Sequence, residues 1–513
     1  MKSISDTRYV FSLIGIILLQ YSVANQSAQP TYQLSDTSQQ WTSTSANLFG
    51  ASTFYHFDDD AFWNSQTSIT ALNDSHVSTL RFPGGEIGEN YDWKLHRLDR
   101  PTDFPGEAPD VTSRLARTDF KEFLRHAQNA EVKNIFFVVG VDGAFRDSGD
   151  IDANLERYAK HAADWVRAVK AEGFFVPYWE VGNEPYGAGY PLTASEYAKA
   201  LVVFAEKMRA ADPRIKIGAA GPGGKQNFNK GIAFADKLGT DALRELRGQS
   251  GSVVKNACPK MKTAACITKL QGGSPPPPPR PWWPVIIEQA RDSFDFAVIH
   301  RYERVNLKGI RKKKDFVLST RIAKLKAWLS KQKGQPVPIS LTEWNTPNER
   351  RRGELTNIEH AQEIAMQIGM NAAGGLDFAH YWPMRIKSRA FKPMFTLEST
   401  ATPASDLFSL LGPIISNAQV SQSLLGKGVY ALQTQQSNQE GLILVNTGIK
   451  TISVNWSHLP ADRLSLVQIL PARDGQAHID PVCSEPGQGR QQTTVTLPSQ
   501  SIAIVQSVRQ AKP

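Results

Sequence analysis

Two short segments place a carboxylate where an apolar run gives way to a turn. They are Trp179-Glu180-Val181-Gly182-Asn183-Glu184-Pro185 and Ile339-Ser340-Leu341-Thr342-Glu343-Trp344-Asn345. A single glutamate in such a place is ordinarily solvated or an ion-pair partner. Two that face each other across a cleft have a further use. One carboxyl protonates a departing glycosidic oxygen, while the other attacks the anomeric carbon or activates water. The Asn-Glu-Pro and Glu-Trp-Asn contexts, each ending an apolar run, select that use for Glu184 and Glu343.

The elements that must position this pair follow from the surrounding periodicity. Between Leu48 and Met384, eight short β-rich apolar runs alternate with stretches of helical period. The runs are Leu48 to Phe57, Ser78 to Gly85, Asn134 to Gly143, Val176 to Pro185, Lys216 to Gly224, Asp295 to Tyr302, Val337 to Asn345 and Phe378 to Met384. The helical stretches include Thr118 to Glu131, Asp152 to Gly173, Ser195 to Ala211, Ser319 to Lys333 and Thr356 to Gly374. Eight strands, each followed by a helix, predict a (β/α)8 TIM barrel over residues 46–402. A doubly wound open sheet is disfavoured because no glycine-rich dinucleotide turn follows the first strand. In a barrel, Glu184 and Glu343 end the fourth and seventh strands on the face where chemistry is done.

An insertion at about 248–284 contains Cys258, Cys266 and the run Pro275 to Pro279 before Trp282 and Trp283, and it reads as an extended surface loop. Beyond Pro403 the pattern becomes short alternating strands separated by turn residues. They are Gly428 to Gln433, Gly441 to Val445, Thr451 to Trp456, Leu464 to Leu470 and Thr493 to Val505. These predict a C-terminal antiparallel β-sandwich of residues 403–513, to which residues 25–45 add a strand.

With those residues in place, the chain resembles clan A glycoside hydrolases, retaining (β/α)8 enzymes with an acid/base Glu after an Asn on strand four and a nucleophile Glu ending strand seven. Leu80-Arg81-Phe82-Pro83-Gly84-Gly85, Tyr91-Asp92-Trp93 and Glu343-Trp344-Asn345 make it most similar to the α-L-arabinofuranosidase family and the neighbouring heparanase and β-glucuronidase family. The resemblance implies Glu184 as acid/base and Glu343 as nucleophile, with Asn183 beside the first. It implies that Arg81 keeps the nucleophile region ionised, since a nearby cation lowers a carboxyl pKa; an Arg that only satisfies a buried carboxylate, with no catalytic part, is an equal alternative. His300 and Tyr302, which share a face of strand six by alternation, would contact the nucleophile and the sugar. Trp382 would offer an aromatic platform to a sugar ring, with core filling an equal alternative; Trp179 reads as core. No metal or organic cofactor is implied, and the cysteine spacing suits no zinc site.

Composition bounds the rest. With 41% hydrophobic and 21% charged residues, the chain is globular rather than disordered or fibrous. Lys2 and Arg8, an apolar run from Tyr9 to Leu19 and Ser22-Val23-Ala24 have the order of a secretory signal peptide spanning residues 1–24. That run is too short to span a bilayer comfortably, and a secreted or periplasmic location with no integral membrane segment is expected. Three cysteines cannot form the framework of so long a chain, although Cys258 and Cys266 could pair and leave Cys483 single.

The net charge of +9 is concentrated on three predicted site-face loops. Lys308, Arg311, Lys312, Lys313 and Lys314 follow strand six, Arg350, Arg351 and Arg352 follow strand seven, and Arg385, Lys387, Arg389 and Lys392 follow strand eight. Such a rim would attract an anionic oligo- or polysaccharide such as a uronic-acid or sulfated glycan; the plain alternative is a solvated surface. Nucleic acid is not expected, because no nucleic-acid motif accompanies the charge. Three readings therefore stand: a retaining glycosidase for an acidic glycan, an α-L-arabinofuranosidase for neutral arabinose-containing glycans, and a catalytically silent carbohydrate-binding protein.

Overall fold

In a computed structural model of the chain, the eight apolar runs form eight parallel strands closed into a barrel. The structure describes residues 30–34, 40–54, 57–58, 60–98, 118–187, 191–223, 280–308, 316–347, 355–387, 391–456, 463–470, 482–484 and 493–509. The strands are β1 (Gly50–Ser52), β2 (Thr79–Phe82), β3 (Asn134–Val139), β4 (Tyr178–Val181), β5 (Lys216–Ala220), β6 (Phe296–Tyr302), β7 (Ile339–Asn345) and β8 (Phe378–Tyr381). Each pairs with the next, and β8 returns to β1 through His380 and Tyr381 beside Gly50 and Ala51. The predicted signal peptide and the cysteines Cys258 and Cys266 lie outside the described residues.

A helix follows every strand: α1 (Gln66–Asp74), α2 (Phe120–Asn129), α3 (Ile151–Ala171), α4 (Ala194–Ala211), α5 (Trp282–Ala290), α6 (Val317–Lys333), α7 (Asn357–Ala373) and α8 (Pro403–Ile415). Local chemistry sets their starts. Thr193 with Glu196, Thr356 with Glu359 and Thr402 with Ser405 form reciprocal caps that satisfy otherwise orphaned amide groups at α4, α7 and α8.

Strands lying between the barrel interior and a helical layer must be apolar on both faces, and β3 illustrates it. Phe136 points inward and packs against Tyr178, Phe296 and Phe378 near the start of the barrel. Its neighbour Phe137 points outward to Trp165 and Trp179. The inward rings fill the lower barrel, which leaves the C-terminal strand ends for polar groups. Trp179 is fully buried in the outer layer and its Nε1 donates to the Val176 carbonyl at 2.9 Å, consistent with a core residue.

Two boundaries differ from the sequence expectation. The eighth helix, α8, occupies residues expected to belong to the sandwich: Phe408 packs against Phe49, Trp344 and Tyr381, so the barrel's outer layer runs on to Ile415. The end of the expected insertion is also helical. Trp282 and Trp283 open α5 and are fully buried, with Pro284 tolerated in the first turn, where no intrahelical amide donor is needed. Trp282 donates from Nε1 to the Ala220 carbonyl at 3.0 Å and stacks on Tyr197 at a centroid distance of 5.0 Å. Replacing Trp282 with Ala is therefore expected to cost about 3–5 kcal/mol in chemical denaturation. The same change at Ile449, 87% exposed, should leave the midpoint unmoved.

The C-terminal region is a sandwich of a seven-stranded and a three-stranded sheet. Residues near the N-terminus join both: Thr31–Leu34 pairs with Ile452–Trp456, and Thr42–Ser43 pairs with Gln419–Leu425. Alternation along Val429–Gln435 sends Val429 and Ala431 to the small sheet and Tyr430 and Leu432 to the barrel core. The sandwich is thereby seated on the barrel's helical layer, where Gln362 of α7 donates to the Asn446 carbonyl at 2.8 Å.

Candidate active site

Both glutamates occupy locally special backbone. Glu184 follows β4 in the left-handed region, with φ of 49°, a conformation that non-glycine residues hold only where their surroundings impose it. Glu343 lies within β7, where pairing with both neighbouring strands slips by a residue around Thr342 and Glu343. Such irregularities re-aim a side chain at the rim of a barrel. Here the slip sets Glu343 opposite His300.

Arg81, fully buried on β2, organises the centre. Its Nε donates to Glu180 Oε2 at 2.9 Å, its Nη1 to Glu343 Oε1 at 2.8 Å and its Nη2 to Asn183 Oδ1 at 2.9 Å. Burial opposes the guanidinium charge, but the Glu180 and Glu343 carboxylates outweigh it and hold the pKa above its ordinary value. Glu343 is gripped at its other oxygen by Tyr302, whose hydroxyl donates to Oε2 at 2.6 Å. Burial, reinforced by the charge of Glu343, pushes the Tyr302 phenol well above its usual range, so it remains a donor.

His300 joins the two glutamates. Its Nδ1 lies 2.9 Å from Glu184 Oε1 and 3.5 Å from Glu343 Oε2, while Nε2 meets Thr342 Oγ1 at 3.0 Å. Burial disfavours the charged ring, yet the carboxylates of Glu343 and Glu184 more than offset this and raise its pKa. One atom from each of Glu184, His300 and Glu343 lies within 4.8 Å of the other two. This set has the atom types of a metal site, but both Glu343 oxygens already accept from Arg81 and Tyr302.

Trp382 walls the same centre. It is 6% exposed and packs edge-on to Tyr302, Phe54 and Phe391. Its Nε1 has no hydrogen-bond partner among the described residues. Gly85 lies opposite with φ of 56°, and a Cβ there would stand 3.5 Å from Trp382 Nε1 and 3.8 Å from Glu343 Oε1. Glycine at this position thus keeps open the space beside the carboxylate as well as meeting the backbone requirement.

All seven residues singled out in the sequence, Arg81, Asn183, Glu184, His300, Tyr302, Glu343 and Trp382, are thus brought into one cluster. The structure adds others. Glu180 is Arg81's second carboxylate partner. Glu89 accepts from the amides of Val141 at 2.7 Å, Asp142 at 3.1 Å and Asn183, tying the loops after β3 and β4 together. Burial raises the pKa of Glu89, an effect those amide groups partly reverse. Its sequence signal is weak: one of two glutamates in a short turn after Gly85.

The basic rim is altered. Arg385 is not a free rim cation: it is 8% exposed, donates to the Phe57 carbonyl at 2.8 Å, lies 3.5 Å from buried Asp58 and sits over the Phe62 ring. Lys392 is partly buried and reaches Asn357 at 3.2 Å. Lys308 and Lys387 are exposed. Arg311 to Lys314, Arg350 to Arg352 and Arg389 lie outside the described residues. No described helix is long and apolar enough to cross a membrane.

No family model matches the sequence, and no curated protein matches it. Its likeness is to solved structures of low sequence identity. A GH51 arabinofuranosidase from Xanthomonas axonopodis pv. citri superposes with a TM-score of 0.61 at 16% identity, covering 93% of this chain and 99% of that one. A family 51 α-L-arabinofuranosidase from Bifidobacterium longum gives 0.59 at 15%, with 93% and 99% covered. A GH30 endoxylanase from Clostridium papyrosolvens gives 0.53 at 14%, again with 93% and 99% covered. Barrel and sandwich together are therefore the fold of known glycoside hydrolases.

Proposed function

We propose that this chain is a retaining glycoside hydrolase that works by double displacement. The observation carrying the proposal is the approach of Glu184 and Glu343 oxygens to within 4.8 Å beside a shared histidine. That is close to the roughly 5–5.5 Å of retaining carboxyl pairs and short of the roughly 6.5–9.5 Å that seats an attacking water between them. Glu343, held at both oxygens, presents an oriented carboxylate to the anomeric carbon. Glu184, 42% exposed at its side chain and reachable from the cleft, protonates the departing oxygen. His300 then stabilises the Glu184 carboxylate that remains, the form that activates water to release the sugar. Arg81 and Tyr302 take up the charge returning to Glu343 as the covalent bond breaks. A silent carbohydrate-binding protein would have no need for this set of donors around a buried carboxylate.

For the substrate we propose an anionic glycan, on the strength of the basic loops after β6 and β7. A neutral arabinofuranoside is the second reading, favoured by the likeness to the two arabinofuranosidases and by the withdrawal of Arg385 from the rim. Export guided by residues 1–24 belongs to the same proposal. Hydrolysis of aryl arabinofuranoside, aryl glucuronide and several acidic polysaccharides, compared side by side, tests it; failure to cleave any glycoside would remove it.

The loops themselves can be tested. Replacing Arg350, Arg351 and Arg352 with Ser is expected to raise KM for an acidic polysaccharide and flatten its salt dependence, while barely altering turnover of a neutral aryl glycoside. Exposed charges act over a Debye length that shrinks to about 3 Å near 1 M salt, so salt should mimic the substitution in the parent enzyme. Equal responses of acidic and neutral substrates would favour the arabinofuranosidase reading.

A further inference from the structure

Glu180 stands outside the catalytic steps just described, yet it is fully buried in the middle of the barrel. Its Oε2 accepts from Arg81, while Oε1 has no partner among the described residues. An undonated acceptor is the lesser defect here. A proton on Oε1 would be a buried donor with no acceptor, so the ionised form is the one the surroundings accommodate. Burial raises the pKa of Glu180, and Arg81 opposes that rise. The guanidinium therefore faces two carboxylates, Glu180 on one side and Glu343 on the other.

We propose that Glu180 is a positioning residue that tempers Arg81, dividing the guanidinium's charge so that Glu343 is oriented without being held too tightly to react. A carboxylate fully neutralised by a buried arginine is a weak base and a poor nucleophile. One that shares its arginine keeps more basicity, and the nearby Glu180 charge repels it further in the same direction. The catalytic meaning rests on Glu343 being the nucleophile; the electrostatic claim does not. The other groups facing this centre are His300 on β6, Tyr302 at its end, Ser52 on β1, His380 on β8, and Asn183, Glu184 and Tyr186 after β4. Arg81 has anchors besides Glu180, namely Asn183, Ser52 and Glu343 itself. Removing the Glu180 charge should thus leave the guanidinium aimed at Glu343.

Glu180→Gln is the variant that separates charge from shape, because its amide oxygen can still accept from Arg81 Nε. Glutamate labelled with carbon-13 at Cδ allows the Glu343 carboxyl to be titrated by NMR without any substrate, its resonance being assigned by loss in Glu343→Gln. The Glu343 midpoint is expected to fall by at least about one pH unit in Glu180→Gln, a tenfold change. The acidic limb of kcat/KM should shift with it, kcat falling more than KM changes. Glu180→Asp draws the charge back by one methylene and should move the midpoint the same way by less; it supplies the reading if the first variant does not fold. An unmoved or raised midpoint would overturn the proposal. A parent protein that titrates as expected but cleaves no glycoside would instead overturn the functional reading and leave the electrostatics standing.

Discussion

Replacement of Glu343 by Ala is expected to lower turnover by about 10^5-fold, the scale of loss when a catalytic nucleophile is deleted. The expectation follows from its place: no other carboxylate in the cluster has both oxygens held and the open space beside Gly85 in front of it. Added azide should restore turnover of an activated substrate and give a glycosyl azide of inverted configuration, because a small anion can enter from the vacated side. Product analysis checks this, and undiminished activity would remove Glu343 from the mechanism. Calorimetry belongs with the kinetics, since Arg81 loses a charged partner and the variant will be less stable.

The second large effect is selective. Glu184→Ala should slow substrates with poor leaving groups by about 10^2–10^4-fold, the usual worth of general acid catalysis, and activated aryl glycosides far less in the bond-breaking step. Rates across leaving groups of graded acidity check it: the slope against leaving-group pKa should steepen in the variant. Equal losses at both ends of the series would mean that Glu184 serves the fold or binding rather than proton transfer.

Much of this arrangement was legible in the sequence because barrel topology converts strand ends into a shared surface. Once Asn183-Glu184 and Glu343 were placed at strand ends, their convergence followed from the fold class, and so did the side-by-side placement of His300 and Tyr302 on β6. What stayed hidden depends on contacts between distant residues. Arg385 reads as one more rim cation until Asp58, far away in sequence, is found beside it in the fold. The anchoring of Asn183 by Glu89 is equally non-local. Glu180 lies in plain view four residues before Glu184, but periodicity could not reveal that Arg81 is shared between Glu180 and Glu343. The missed helices have local explanations. Pro413 and Gly412 mask the helical pattern of α8 although Thr402-Pro403 announces its start, and Pro284 beside a proline run hides the onset of α5.

The central claim, attack by Glu343 and return through a second displacement, is tested most directly by the configuration of the first sugar released. Proton NMR of the anomeric signal, recorded before mutarotation with whichever glycoside of the panel is cleaved, reads it without assumptions about sugar identity. Net retention is the predicted result; a first-formed product of inverted configuration would contradict the account.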